Sequence, residues 1–210
     1  QPIKRGPCAV GFDEFFGISA SLDMAPYVYL KQDRVTAQPT GHSPGCDIPE
    51  QLPKGAPAFR FWRPGPIAPD FQHEDVLPRL TQEAESFIGQ QAASGKPFFL
   101  YFPLPAPHTP ILPLAAFQGK SGTNPYGDFC LQVDAVVGRI MAALESAGVA
   151  DNTILVFTAD NGCSPMADLP GLAKLGHAPS HVFRGHKADI YEGGHRIPLL
   201  VKWPARIPAG

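Results

Sequence analysis

The stretch DNTILVFTADNG, residues 151–162, carries a β-branched and aromatic run, Thr153 to Phe157, straight into an acid, an amide and a glycine. A short, continuous apolar run bounded by turn residues reads as a strand buried on both faces. Two further runs flank it in sequence, PFFLYFPL at 97–104 and PLLVKW at 198–203. Pro97 and Pro198 are acceptable as first residues of strands, and Pro103 sets Phe102 as the expected end of the first. Helical spacing stands between and before them. Val76, Leu77, Leu80, Ala84, Phe87 and Ile88 mark a helix over Asp75–Ser94. Phe129, Val133, Val136, Ile140 and Leu144 mark a second one that Gly148 stops. Strand, helix, strand with fully apolar strands predicts an α/β fold, with a mainly parallel sheet flanked by helices on both faces.

In such sheets, ligands bind beyond the carboxyl ends of the strands, which selects APHTP after the first run and ADNG after the second. Asp160 and Asn161 have two readings. Asn-Gly is a common tight-turn dipeptide, with Asp160 capping the turn. A hairpin, however, needs a partner strand just after Gly162, and CSPMADLPG makes a poor one. The other reading is a pair of oxygen donors for a hard cation, Ca²⁺ or Mg²⁺ in preference to zinc. His108 sits in a proline-braced loop, either as a positioned catalytic group or as a loop histidine bonded to a carbonyl. His42, His73, His177 and His181 have no comparable context. In FRGHKADIYEGGHRIP, residues 183–198, Arg184, His186, Lys187, His195 and Arg196 crowd a glycine-rich stretch that suits an oxyanion; a solvated basic loop is the plainer reading. Arg184 and Arg196 are equal candidates to pair with Glu192.

With 210 residues, 44% hydrophobic and 17% charged, the chain makes one domain or most of one. A net charge of -2 provides no cationic field for nucleic acid or anionic lipid. No run approaches the ~18 apolar residues of a membrane span. Starting at Gln1, the sequence is expected to be a mature form or an internal piece. Cys8, Cys46, Cys130 and Cys163 show neither a CxxC pair nor zinc spacing, and Cys130 reads as a small core residue. Residues 36–70 hold much of the proline and glycine and read as a long irregular excursion.

PFFLYFPLPAPHTPILP, DNTILVFTADNG and RGHKADIYEGGHRIPLLVKWPARIPAG, in this order, closely resemble the formylglycine-dependent sulfatases, in the arylsulfatase branch of the alkaline-phosphatase-like superfamily. GFDEFFGISASLDMAPYVYL, residues 11–30, resembles the segment that follows the Lys and His block of those enzymes. The resemblance implies calcium ligation by Asp160 and Asn161, with Ca²⁺ favoured over Mg²⁺. It also implies that His108 contacts the sulfate ester near its leaving oxygen and that Lys187 binds the sulfate oxygens, so both are catalytic and substrate-binding. The EGGHR stretch matches a signature whose glycines shape the loop. The implied partner is a small-molecule or saccharide sulfate ester, in a periplasmic, secreted or lysosomal setting.

Departures from the family pattern matter equally. The family's nucleophile is a formylglycine made from Cys or Ser in C/S-x-P-x-R, and these residues contain no such pattern. CSPMA at Cys163 has Ala167 where Arg should stand and follows the DNG motif instead of preceding it, so it is a decoy. The early paired aspartates that complete the calcium shell are absent as well. Residues 1–210 therefore read as the central part of a sulfatase-type catalytic domain, incomplete at both ends and inactive alone. A phosphatase, phosphodiesterase or phosphonate hydrolase on the same scaffold is the alternative, as is an inactive fragment that only binds anions.

Overall fold

The computed structural model describes residues 2–208 and 210. Its framework is a pair of long helices, α1 (Val76–Ser94) and α2 (Pro125–Ser146). Asn124 starts α2 by accepting from the backbone N–H groups of Tyr126 and Gly127, with Pro125 at the first helical position, where its missing N–H costs nothing. Gly148, at φ 70°, takes the left-handed conformation that turns the chain out of the helix. The apolar stripes predicted from spacing meet between the helices. Ala84 and Ile88 of α1 pack with Ile140 and Leu144 of α2, while Leu77 packs with Phe129 and Val136. Arg139 clamps Glu85 across the pair with two hydrogen bonds of 2.7 and 2.6 Å.

A second core lies on the other side of α1. Strands β1 (Phe16–Ile18), β2 (Tyr29–Lys31) and β3 (Arg34–Val35) form an antiparallel sheet, and Tyr27, Val28, Tyr29 and Leu30 pack against Phe71, Val76 and Leu80. The 36–70 stretch is mostly irregular, apart from the short β4 (Gly41–Ser43) and β5 (Gly65–Ile67) pair and a 3₁₀ turn at Pro49–Gln51. Among the described residues, no helix is long and apolar enough to cross a membrane.

The expected parallel sheet is corrected. Strand β6 (Leu155–Thr158) pairs antiparallel with β7 (Leu199–Lys202), Leu155 opposite Lys202 and Thr158 opposite Leu199. Every ladder among the described residues is antiparallel, and the one parallel pairing is the isolated bridge Tyr27–Ile67. Residues 97–104, expected as a strand buried on both faces, join no ladder. Phe98, Leu100 and Phe102 pack on the helices, while Phe99 and Tyr101 between them stand 76% and 66% exposed. This alternation is that of a strand with one face covered. The alternation continues into β6, where Ile154 and Val156 are exposed and Leu155 and Phe157 half-buried, whereas Leu199, Leu200 and Val201 of β7 are all exposed. The runs are apolar on both faces, but the described residues cover one face of the first two and neither face of β7.

Candidate functional site

Strand β6 ends where Thr158 Oγ1 donates to the carbonyl of Pro198, 2.8 Å away, which ties the exit of β6 to the entry of β7. Asp160 and Asn161 come next, the first exposed and the second half-buried. Gly162 then donates its N–H to the carbonyl of Gly194 at 2.8 Å, and Lys187 donates its backbone N–H to the carbonyl of Cys163 at 2.9 Å. Glycine is required along this seam by close approach. A Cβ on Gly162 would overlap the carbonyl oxygen of Gly193, and one on Gly193 would overlap that of Gly185. A single helical turn, Glu192–His195, brings the two buried glycines into position. These bonds place Lys187 beside the turn that follows Asp160 and Asn161.

Around Lys187 the other cations are engaged. The guanidinium of Arg184 lies 3.8 Å from the ring centre of Tyr191, and that of Arg196 lies 4.6 Å from Phe183. Arg196 also pairs with Glu192 at 3.1 Å, which decides between the two candidates for that partner. His186 donates Nδ1–H to the carbonyl of Lys187 at 2.9 Å and its backbone N–H to Asp189 at 3.0 Å. His195 Nε2–H donates to the carbonyl of Ile190 at 2.9 Å. Lys187 is half-buried and enters no ion pair among the described residues.

His108 belongs to a different stretch of chain. Its Nδ1–H donates to the carbonyl of Thr109 at 2.6 Å, so a neutral ring offers Nε2 as an acceptor and a cationic ring offers it as a donor. Buried Thr109 and Ile111 anchor the loop just after it. Helix α2 fixes the next stretch of chain, with Gln132 accepting from Leu114 N–H at 2.8 Å and Asp128 from Gly119 and Ser121 N–H at 2.7 and 2.9 Å. Burial pushes the Asp128 carboxyl up, but donors from Ser121, Gly119 and Lys120 outweigh it, and the net pKa is lowered. No hydrogen bond or ion pair among the described residues joins His108 to Asp160, Asn161 or Lys187.

Asp160 and Asn161 offer oxygen donors of the kind calcium takes, but no three His, Cys, Asp or Glu side chains gather closely enough among the described residues to hold an ion. This chain's donors do not by themselves fit a complete calcium site.

One cluster escaped the sequence. His73 lies in an aromatic cage, stacked 4.1 Å from Trp62 and edge-on to Tyr27 and Phe71, with Nε2 unpartnered; burial lowers its pKa to about 4. Burial raises Cys130 to about 11, and the thiol is half-buried instead of fully in the core. The Cys163 thiol, also half-buried, donates to the carbonyl of Ser164 at 3.5 Å.

The family model described as Sulfatase matches residues 3–209. The chain belongs to the sulfatase family. Among curated relatives, the N-acetylgalactosamine-6-O-sulfatase of Bacteroides thetaiotaomicron is 34% identical, covering 95% of this chain and 44% of the relative. The N-acetylgalactosamine-6-sulfatase of Sus scrofa is 33% identical over 100% of this chain and 35% of its own length. Human arylsulfatase A is 32% identical over 95% and 37%. This sulfatase chain therefore spans less than half the length of these curated relatives. A solved Bacteroides thetaiotaomicron sulfatase described with glycosaminoglycan metabolism superimposes with a TM-score of 0.78 at 32% identity, covering 96% of this chain and 47% of the other. The fold is also shared with Ps i-CgsB in complex with k-i-k-neocarrahexaose, at TM-score 0.65, 21% identity, and coverage of 99% and 43%.

Proposed function

We propose that residues 1–210 form the central part of a sulfatase catalytic domain whose complete form hydrolyses the sulfate monoester of a sulfated saccharide. The observation that carries this reading is the seam that binds the Asp160–Asn161 turn to Lys187 through the Lys187 N–H and Cys163 carbonyl, in a sulfatase-family chain. The names of the relatives, which specify a sulfated amino sugar, support the saccharide. In this reading the extended 97–102 segment, which packs on the helix pair, and β6 belong to a larger sheet.

Each residue has a role set by its chemistry. Lys187, the cation left unpaired, attracts sulfate oxygens as a point charge and stabilises the charge that grows on them as the ester bond breaks. His108 presents Nε2 to the leaving oxygen and, as the cation, donates a proton to it. Asp160 and Asn161 would hold a calcium ion through two oxygen donors, with further ligands needed from a longer polypeptide, and the ion would offset negative charge on the sulfate. The nucleophile, a formylglycine, also comes from outside this chain, since residues 1–210 contain no C/S-x-P-x-R.

The test uses an aryl sulfate, with and without calcium. The 210-residue chain should give no turnover. A longer polypeptide that adds the C/S-x-P-x-R segment, made in a host that forms formylglycine, should give turnover that falls about 10²–10³-fold in Lys187→Ala. Turnover by the 210-residue chain that disappears in Lys187→Ala would reveal another nucleophile and refute the assignment. A longer polypeptide that cleaves only phosphate esters would refute the sulfate reading.

A further inference from the structure

We propose that Asp189 is a positioning residue for Lys187: it closes the turn that presents the lysine and thereby sets where the ammonium group stands. The proposal rests on the assignment of Lys187 to the sulfate oxygens. Asp189 is half-buried and makes no ion pair with Lys187 among the described residues, so its influence passes through the backbone.

His186, Lys187, Ala188 and Asp189 form a tight turn in which the Asp189 N–H donates to the carbonyl of His186 at 2.9 Å. The Asp189 carboxylate reaches back across the same turn and accepts the His186 N–H at 3.0 Å. One residue thus bonds both polar backbone groups of His186. Lys187 is tied at both of its own, since its N–H donates to the Cys163 carbonyl at 2.9 Å and its carbonyl accepts from His186 Nδ1 at 2.9 Å. With the backbone fixed on both residues, the Lys187 side chain keeps only its own rotations, and the direction in which it leaves the turn is set.

The turn does not hold itself. Ala188 stands at φ 76°, in the left-handed region that disfavours any residue with a Cβ, and such a conformation persists only where neighbours impose it. Asp189 is the neighbour placed to do so, because it is wedged between two glycines. A Cβ on Gly185 would come within 3.0 Å of the Asp189 Cβ and 3.1 Å of its Oδ2, and one on buried Gly194 would overlap the Asp189 carbonyl oxygen. These glycines make room for the aspartate as well as for each other's strands of backbone. No nearby cation draws its carboxylate away from the turn: Arg184 lies on Tyr191, Arg196 pairs with Glu192, and His186 Nδ1, 3.6 Å from the carboxylate, gives its proton to the Lys187 carbonyl.

The experiment has two arms. In the 210-residue chain, NMR reads amide exchange residue by residue. Asp189→Ala should speed exchange at His186 and Lys187, while Asp189→Asn, which keeps an oxygen acceptor for the His186 N–H, should restore protection. In the longer polypeptide that carries formylglycine, Asp189→Ala should lower kcat on an aryl sulfate about 10–100-fold, on the scale of a misplacement of roughly 1 Å, and Asp189→Asn should recover most of it. Added to Lys187→Ala, Asp189→Ala should cost nothing further, because a residue that acts through Lys187 then has nothing to position. Asp189→Glu, which keeps the charge but moves the oxygens by one methylene, is the second variant should Asp189→Ala not fold, and its kcat should fall in the same direction. Parent-like exchange at both amides, a parent-like kcat in the variant that folds, or losses that multiply in the double variant overturn the proposal. If the parent longer polypeptide cleaves no sulfate ester, the sulfatase reading falls instead, and the exchange arm still decides whether Asp189 holds Lys187.

Discussion

Replacing Asp128 with Asn tests how the loop beyond His108 is held. Asp128 is 5% exposed, and its two oxygens separately accept the N–H groups of Gly119 and Ser121. An asparagine of the same shape keeps one acceptor and turns an NH₂ group toward the other backbone donor. Hydrogen bonds to a charged group contribute about 1.5–3 kcal/mol each, and the donor left without a partner adds its desolvation cost, so Asp128→Asn should lose about 2–4 kcal/mol. Urea unfolding followed by circular dichroism measures this directly. The pH dependence provides a second, sharper check. The folded-state pKa of Asp128 lies below its ordinary value of 3.8, so its stabilising contribution is complete above the unfolded-state pKa. It is lost as the pH falls through the lower folded value. The gap between parent and variant should therefore be constant above about pH 5 and narrow on acidification below about pH 4. A loss under about 1 kcal/mol at pH 7, or a gap that widens in acid, would refute the reasoning.

His73, buried and neutral with a pKa lowered to about 4, should titrate near that value by NMR. The unfolded chain binds the extra proton between that pH and about 6.5, so stability should fall with acidification across that window, by up to about 3 kcal/mol in total, and His73→Phe should remove this dependence. Gly193→Ala drives a methyl group into the Gly185 carbonyl and should cost about 1–3 kcal/mol. Amide exchange at Gly162 and Lys187 should speed up in that variant, and unchanged protection there would show that the seam does not depend on the glycine. The apolar face bearing Phe99, Tyr101, Ile154 and Val156 should bind a hydrophobic dye and promote self-association. Phe99→Lys/Val156→Lys should reduce both, as read by fluorescence and sedimentation.

The sequence alone determined the two long helices, because 3.6-residue spacing, the Asn124-Pro125 start and the Gly148 stop act within a few residues of chain. It also determined family membership and the candidate residues of the site, because DNG, APHTP and GHK are local motifs in a fixed order. Strand pairing was beyond its reach: an apolar run records that a strand is meant to be covered, but the direction of its neighbour is set by a partner distant in sequence, and Leu199–Lys202 runs antiparallel to Leu155–Thr158. Only the tertiary structure decided which cations are free. Arg184 and Arg196 sit on aromatic rings that periodicity cannot place, which leaves Lys187 unpaired among the described residues. Burial likewise separated His73 from the other histidines, since an aromatic cage forms where segments apart in the chain share one volume.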